Sequence, residues 1–248
     1  MAKIIRKLRN LLDKAEYSEK KGEYKANNLR DIEEIYEKIV SYNNYDDLFS
    51  NIYKDFTKIL GGYKLNNREL QELIYKLERE FRPEHGIPLS ALINISPNKR
   101  IEIEITKPYN DLGLFNYRKE IEIKGNVGAG IGGYMKGGRI VVNGNAQDFA
   151  GMWMKGGEII IKGNAGFGAG THMKGGRIVI EGLAKGSIGL EMEGGEIYIG
   201  KFPSFSVIYD DQPLLEILNI SERTKRGKIY KGIPPNAELV WKDGKVVI

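Results

Sequence analysis

One period governs the middle of this chain. Between about Arg100 and Lys201 the sequence repeats every 19 residues. Gly125-Asn126, Gly144-Asn145, Gly163-Asn164 and Gly182-Leu183 open successive copies. Met135-Lys136-Gly137-Gly138, Met154-Lys155-Gly156-Gly157, Met173-Lys174-Gly175-Gly176 and Met192-Glu193-Gly194-Gly195 sit inside them. The copies hold their spacing without an insertion. A fixed period near 20 is the mark of a solenoid, in which each repeat is one coil and buries its apolar face only against its neighbours.

Within the coils, apolar residues alternate with polar ones. Ile101, Ile103 and Ile105 flank Glu102 and Glu104, and Ile121/Ile123, Ile140/Val142, Ile159/Ile161, Ile178/Ile180 and Ile197/Ile199 follow. Alternation of this kind marks half-buried strands. The spacing predicts six parallel strands stacked about 4.8 Å apart. Of the 31 glycines, 24 lie between Gly113 and Gly200, where corners need backbone angles closed to other residues. Asn126, Asn145 and Asn164 fall where a left-handed turn residue fits, and stacked Asn side chains can also hydrogen-bond along a ladder.

Residues at equal positions form columns. Met135, Met154, Met173 and Met192 are expected to fill the interior, as are Ile131, Ala150, Ala169 and Ile188. Arg100, Glu120, Arg139, Glu158, Arg177 and Glu196 alternate in sign, which disfavours a slip of the stack by one coil. Two outward columns are candidates for function. Val141, Ile160, Val179 and Tyr198 form an apolar stripe that something must cover: the N-terminal helices, the C-terminal segment or a partner protein. Tyr134, Trp153 and His172, followed by Glu191, run beside Lys136, Lys155 and Lys174. Such a face suits an anionic or planar ligand or an acidic protein surface; solubilising lysines beside amphipathic aromatics are the plainer account.

The flanks differ in character. Residues 2–84 carry helical periodicity, with apolar faces at Ile4–Ala15, Ile32–Val40, Leu48–Leu60 and, after a capping-box pair at Asn66 and Glu69, Leu70–Phe81. Pro83, Gly86 and Pro88 then read as breakers. The repeat is expected to end at Gly200, with an apolar cap beyond it and a closing hairpin around Asp243-Gly244. The fold class is therefore α+β with the two kinds of structure segregated: a helical domain at 1–90, a parallel β-helix of single-stranded coils at 91–200, and a cap with short strands at 201–248.

Charges of both signs are mixed over 248 residues, for a net of +5, which argues against a nucleic-acid partner. Cysteine is absent, no apolar run reaches membrane-spanning length and Met1–Arg6 lacks a signal-peptide core, so no membrane association and a cytoplasmic home are expected. No metal-ligand spacing, Walker loop or nucleophile elbow occurs, and Gly128-Ala129-Gly130-Ile131-Gly132-Gly133 belongs to the repeat rather than to a nucleotide loop. Neither a catalytic residue nor a cofactor is expected.

The pattern Gly-Asn-x-Gly…Gly-x-x-Met-Lys-Gly-Gly-Arg/Glu-Ile-x-Val/Ile-x-Gly-Asn resembles the GXGXG-repeat family. That family comprises the C-terminal domain of the glutamate synthase large chain and the GXGXG-bearing subunit of formylmethanofuran dehydrogenase. The stretch Gly144–Gly157 is most similar to the dehydrogenase form, and the resemblance covers roughly residues 119–200. It implies a right-handed parallel β-helix that holds catalytic domains or subunits together and has no active site of its own. It further implies an archaeal protein with partners in an oxidoreductase or amidotransferase complex; a glutamate synthase-related linker and self-association are the other options. The N-terminal helices lie outside the family pattern.

Overall fold

The alternation of isoleucine with charge dictates the main sheet. In a computed structural model the described residues are 65–80, 83, 86–201, 225–243 and 245–247, together with Thr57 and a short antiparallel pair, Tyr17–Ser18 with Glu23–Tyr24. Apart from Thr57, the first three expected helices lie outside the described residues. The short pair departs from the helical expectation at a point where apolar helix spacing has already stopped, beyond Ala15.

The strands in chain order are β1 (Arg100–Glu104), β2 (Glu120–Lys124), β3 (Arg139–Asn143), β4 (Glu158–Ile161), β5 (Ala165–Phe167), β6 (Arg177–Gly186), β7 (Glu193–Lys201), β8 (Arg226–Lys231), β9 (Glu238–Lys242) and β10 (Lys245–Val246). All but β5, β9 and β10 stack in parallel on one face, and β5 pairs with β6 on another. The register follows the columns: Ile101, Ile121, Ile140, Ile159, Ile178, Ile197 and Ile229 oppose one another in turn, all essentially without solvent exposure. Between Arg100 and Glu196 this is a β-solenoid of about five turns. The interior columns are as expected. Met135, Met154, Met173 and Met192 are fully buried, with Ile131, Ala150, Ala169 and Ile188 beside them.

Two expectations about the repeat need correction. The stack does not end at Gly200. After a step of 32 residues instead of 19, β8 adds another parallel rung, with Lys228 opposite Glu196. The hairpin β9–β10 then closes the end, Trp241 facing Val246. The Asn column, in turn, is not left-handed; Asn126, Asn145 and Asn164 are absent from the positive-φ positions. Its work is the ladder. The amide oxygen of Asn126 accepts from the Asn145 backbone N–H, that of Asn145 from Asn164 and that of Asn164 from Leu183, each at 2.8 Å.

The N-terminal end is closed by two helices. Helix α1 (Asn67–Leu77) begins at the expected capping box: Glu69 N–H donates to the Asn66 side chain and Asn66 N–H to the Glu69 carboxylate, both at 3.0 Å. An exposed strand edge invites pairing with another chain. Here α1 and the 3-10 turn after it (Glu78–Glu80) occupy that edge: Asn67 donates to Arg100 O, Gln71 both donates to Glu104 O and accepts from Glu104 N–H, and Glu78 accepts from Thr106 N–H. Helix α2 (Gly86–Ile95) stands where Pro83, Gly86 and Pro88 read as breakers. Pro88 falls in its first turn, where no intrahelical N–H is required. The helix is buried: Leu89, Ala91, Leu92 and Ile93 join the solenoid core, while its buried polar residues are hydrogen-bonded, Ser90 donating to Gly86 O and Asp111 O and Asn94 to Leu114 O. Buried Lys119 donates to Ser96 O and Asn98 O at 2.5 and 2.6 Å, tying the chain just past α2 to the first coil. Burial, and then the charge of Arg118, lower the pKa of that ammonium.

Candidate functional site

Each coil turns several left-handed corners, and one of them carries rings. Tyr134, Trp153 and His172 have φ of 54°, 59° and 53°, and Phe115 joins them at 55°. Their backbones are fixed by bonds between coils: Phe115 N–H to Gly133 O, Tyr134 N–H to Met152 O, Trp153 N–H to Thr171 O and His172 N–H to Leu190 O, all between 2.8 and 2.9 Å. The rings stack in order. Phe115 and Tyr134 have centroids 5.1 Å apart, Tyr134 and Trp153 6.2 Å, and Trp153 and His172 4.0 Å at an interplanar angle of 10°. Ring faces therefore meet one another, and a planar ligand meets the edges. The column ends at Glu191, whose carboxylate lies 3.6 Å from His172 Nδ1 and 3.8 Å from Lys225 Nζ.

The lysines lie two residues further along the same corner. Lys136, Lys155 and Lys174 are exposed, and their N–H groups bond to Asn116 O, Met135 O and Met154 O at 2.7 Å, so they form a true column. Lys174 approaches Glu193 at 3.5 Å and stands 5.8 Å from the centre of the Trp153 ring. The sequence reading missed Phe115 and the exposed Tyr117, which extend these two columns by one coil. Counting back 19 residues from Tyr134 and Lys136 finds both; they are hidden because Asn116-Tyr117-Arg118-Lys119 stands where the later coils have Met-Lys-Gly-Gly.

The apolar stripe sits on the strand face. Glu122, Val141, Ile160, Val179, Tyr198 and Tyr230 oppose one another in register. Val141 and Ile160 are half-buried, whereas Val179 and Tyr198 retain only 7% exposure. Tyr198 stacks on Tyr230 with centroids 4.3 Å apart, and the Arg177 guanidinium lies 5.3 Å over its ring. Its hydroxyl donates to Glu196 at 3.0 Å. Burial, followed by this bond and the Glu196 charge, pushes the Tyr198 hydroxyl above its usual pKa. Burial alone would raise the Glu196 carboxyl, but hydrogen bonds from Tyr198, Lys228 and Arg177 outweigh it and hold the group below its ordinary value.

The sign-alternating column beside the stripe is paired along much of its length. Arg139 meets Glu158 at 2.9 Å, Arg177 meets Glu196 at 3.3 Å, and Lys228 meets Glu196 at 3.3 Å. Arg100 turns aside to Glu102 and Glu122 instead. Among the described residues no group of three or more His, Asp or Glu side chains is placed to hold a metal, and no helix is long and apolar enough to cross a membrane. The chain matches no protein-family model, no curated protein and no solved structure.

Proposed function

We propose that this chain is a non-catalytic β-helical scaffold for an oxidoreductase or amidotransferase complex, related to the GXGXG-repeat proteins and similar to the GXGXG-bearing subunit of formylmethanofuran dehydrogenase. The observation that carries the proposal is the way the repeat disposes of its polar groups. The Asn ladder bonds coil to coil, and most of the Arg/Glu column is ion-paired within itself. Both devices stiffen a rod and set its register. Outward, the coils offer the exposed Lys136, Lys155 and Lys174 beside the half-buried Trp153 and His172, and the half-buried Val141 and Ile160 on the strand face, and these suit docking better than bond making.

The test is recovery from the native host. The tagged protein should bring oxidoreductase or amidotransferase subunits with it in comparable amounts. A partner-free protein, recovered at native expression level, would overturn the reading.

A further inference from the structure

Two departures from the rules of the rest of the solenoid meet at one corner. The first concerns charge. On the strand face, sign alternates from Arg100 through Glu196 and continues to Lys228 in the added rung. The corner column instead places Lys136, Lys155 and Lys174 on successive coils, one above another. Like charges stacked at a coil spacing repel. Neither Lys136 nor Lys155 forms an ion pair with a described residue, and only at Glu193 does the sign change. The second concerns backbone. At the left-handed corner two residues after the lysines, glycine stands in each coil from Gly138 to Gly195, and Gly227 follows. At the corner beside the lysines, four rings hold the same strained region. Both departures carry a cost, like-charge repulsion in one and left-handed strain in the other, that the rest of the repeat avoids.

We propose that this corner docks an extended, acidic segment of a partner protein, with its carboxylates on Lys136, Lys155 and Lys174 and its intervening side chains against the edges of Trp153 and His172. This rests on the scaffold reading above and names the chemistry of its partner. An extended strand carries its i and i+2 side chains on one side, about 6.8 Å apart, and lysine stems can splay from the coil spacing to meet them. The column is bounded by Tyr117 at one end and Glu193 at the other, so it fits two or three carboxylates and not a long polymer. Paired glycines lie between it and the Arg/Glu column, leaving its flank free of side chains.

The experiment uses the full-length protein and a fluorescent peptide of about a dozen alternating Glu and Ser residues, read by anisotropy at low and at high salt. Wild type should bind, more weakly at high salt. The double variant Lys136→Glu/Lys155→Glu should lose on the order of tenfold affinity per reversed charge. Lys136→Gln/Lys155→Gln should lose less, and Lys124→Glu/Lys242→Glu, which changes net charge equally on other exposed positions, should bind like wild type. Trp153→Gly should weaken binding without altering its salt dependence. Equal loss in the Lys124/Lys242 control would overturn the site, as would binding of inorganic polyphosphate in the absence of peptide binding. Native subunits recovered with wild type and equally with Lys136→Glu/Lys155→Glu would overturn this inference while leaving the scaffold reading in place; recovery of no subunits with wild type would fail the scaffold reading instead.

Discussion

Two corners of the same coil lie two residues apart and share a backbone conformation, yet they are built from opposite residues. Gly113, Gly132, Gly151 and Gly170 form one, with φ between 65° and 72°. Phe115, Tyr134, Trp153 and His172 form the other, with φ between 53° and 59°. What separates them is the space in front of Cβ. At Gly132 an added Cβ would stand 2.4 Å from Ile159 Cδ1, and at Gly170 2.5 Å from Ile197 Cδ1. The inward isoleucines of the next coil fill that space. At the second corner the side chain finds the ring of the neighbouring coil, Tyr134 buried within the stack and Phe115, Trp153 and His172 half-buried. A left-handed corner thus tolerates a side chain at a modest cost in strain, of about 1–2 kcal/mol. Contact with the core is what forbids one.

The sharpest way to break this comparison is to put a side chain at the inward corner. At Gly151 a Cβ would meet Ile178 Cδ1 at 2.5 Å. Gly151→Ala should cost about 2–4 kcal/mol, combining left-handed strain with overpacking of a closed core. Ile178→Val removes the obstructing methyl group and by itself should cost about 1 kcal/mol. The double variant should then lose less than the sum of the singles, by about 1 kcal/mol in urea unfolding. Strict additivity would mean that the clash is relieved elsewhere and that strain alone sets the cost.

The outward corner gives a smaller effect whose order is diagnostic. Trp153→Gly relieves the strain but loses two ring contacts, each worth about 0.5–1.5 kcal/mol. Trp153→Ala loses the same contacts and keeps the strain. Thermal unfolding should therefore rank wild type first, the Gly variant next and the Ala variant last, with about 1 kcal/mol between the two variants. A Gly variant as stable as wild type would show that the stack contributes nothing to the fold.

The same distinction explains which features could be read in advance. A strict period makes equal positions stack, so the Ile and Met columns, the Arg/Glu alternation and the ring–lysine corner are all legible as residues 19 apart. Whatever breaks the period is hidden. Gly227-Lys228-Ile229-Tyr230 repeats Gly195-Glu196-Ile197-Tyr198, but the longer step conceals the added rung. Phe115 is in period, 19 residues before Tyr134, but its coil carries Asn116-Tyr117-Arg118-Lys119 in place of Met-Lys-Gly-Gly and so does not show itself as a copy. Side-chain bonds to distant backbone leave no periodic trace at all: Asn67, Gln71 and Glu78 cap β1 across 28 to 33 residues of sequence. Helix α2 was obscured because proline reads as a breaker unless its place in the first turn is known. At the candidate site the membership of the ring column is periodic, whereas stacking face to face depends on side-chain torsions that the period does not set.

The least effect belongs to the outward polar column, where solvent screens each pair. Glu196 is its most connected member, accepting from Tyr198, Arg177 and Lys228 at 3.0 to 3.3 Å. Burial acts to raise its pKa, but these three bonds prevail, so the folded value lies below the unfolded one. A carboxyl shifted in this direction stabilises the fold above its unfolded pKa, near 4.3, and loses that contribution as pH falls through the folded value. Wild type should exceed Glu196→Gln by less than about 1 kcal/mol near neutral pH, because the pairs are partly exposed. The difference should shrink between about pH 5 and pH 3 and vanish below the folded pKa. Lys228→Met should reduce the acid-side slope in the same sense, since it removes one of the bonds that depress the carboxyl. The raised pKa of Lys228 itself acts only at strongly alkaline pH and leaves this window untouched. Urea midpoints for the three proteins at pH 7, 5, 4 and 3 decide the matter. A difference between wild type and Glu196→Gln that holds constant across that series would mean that the column sets register through packing and not through charge.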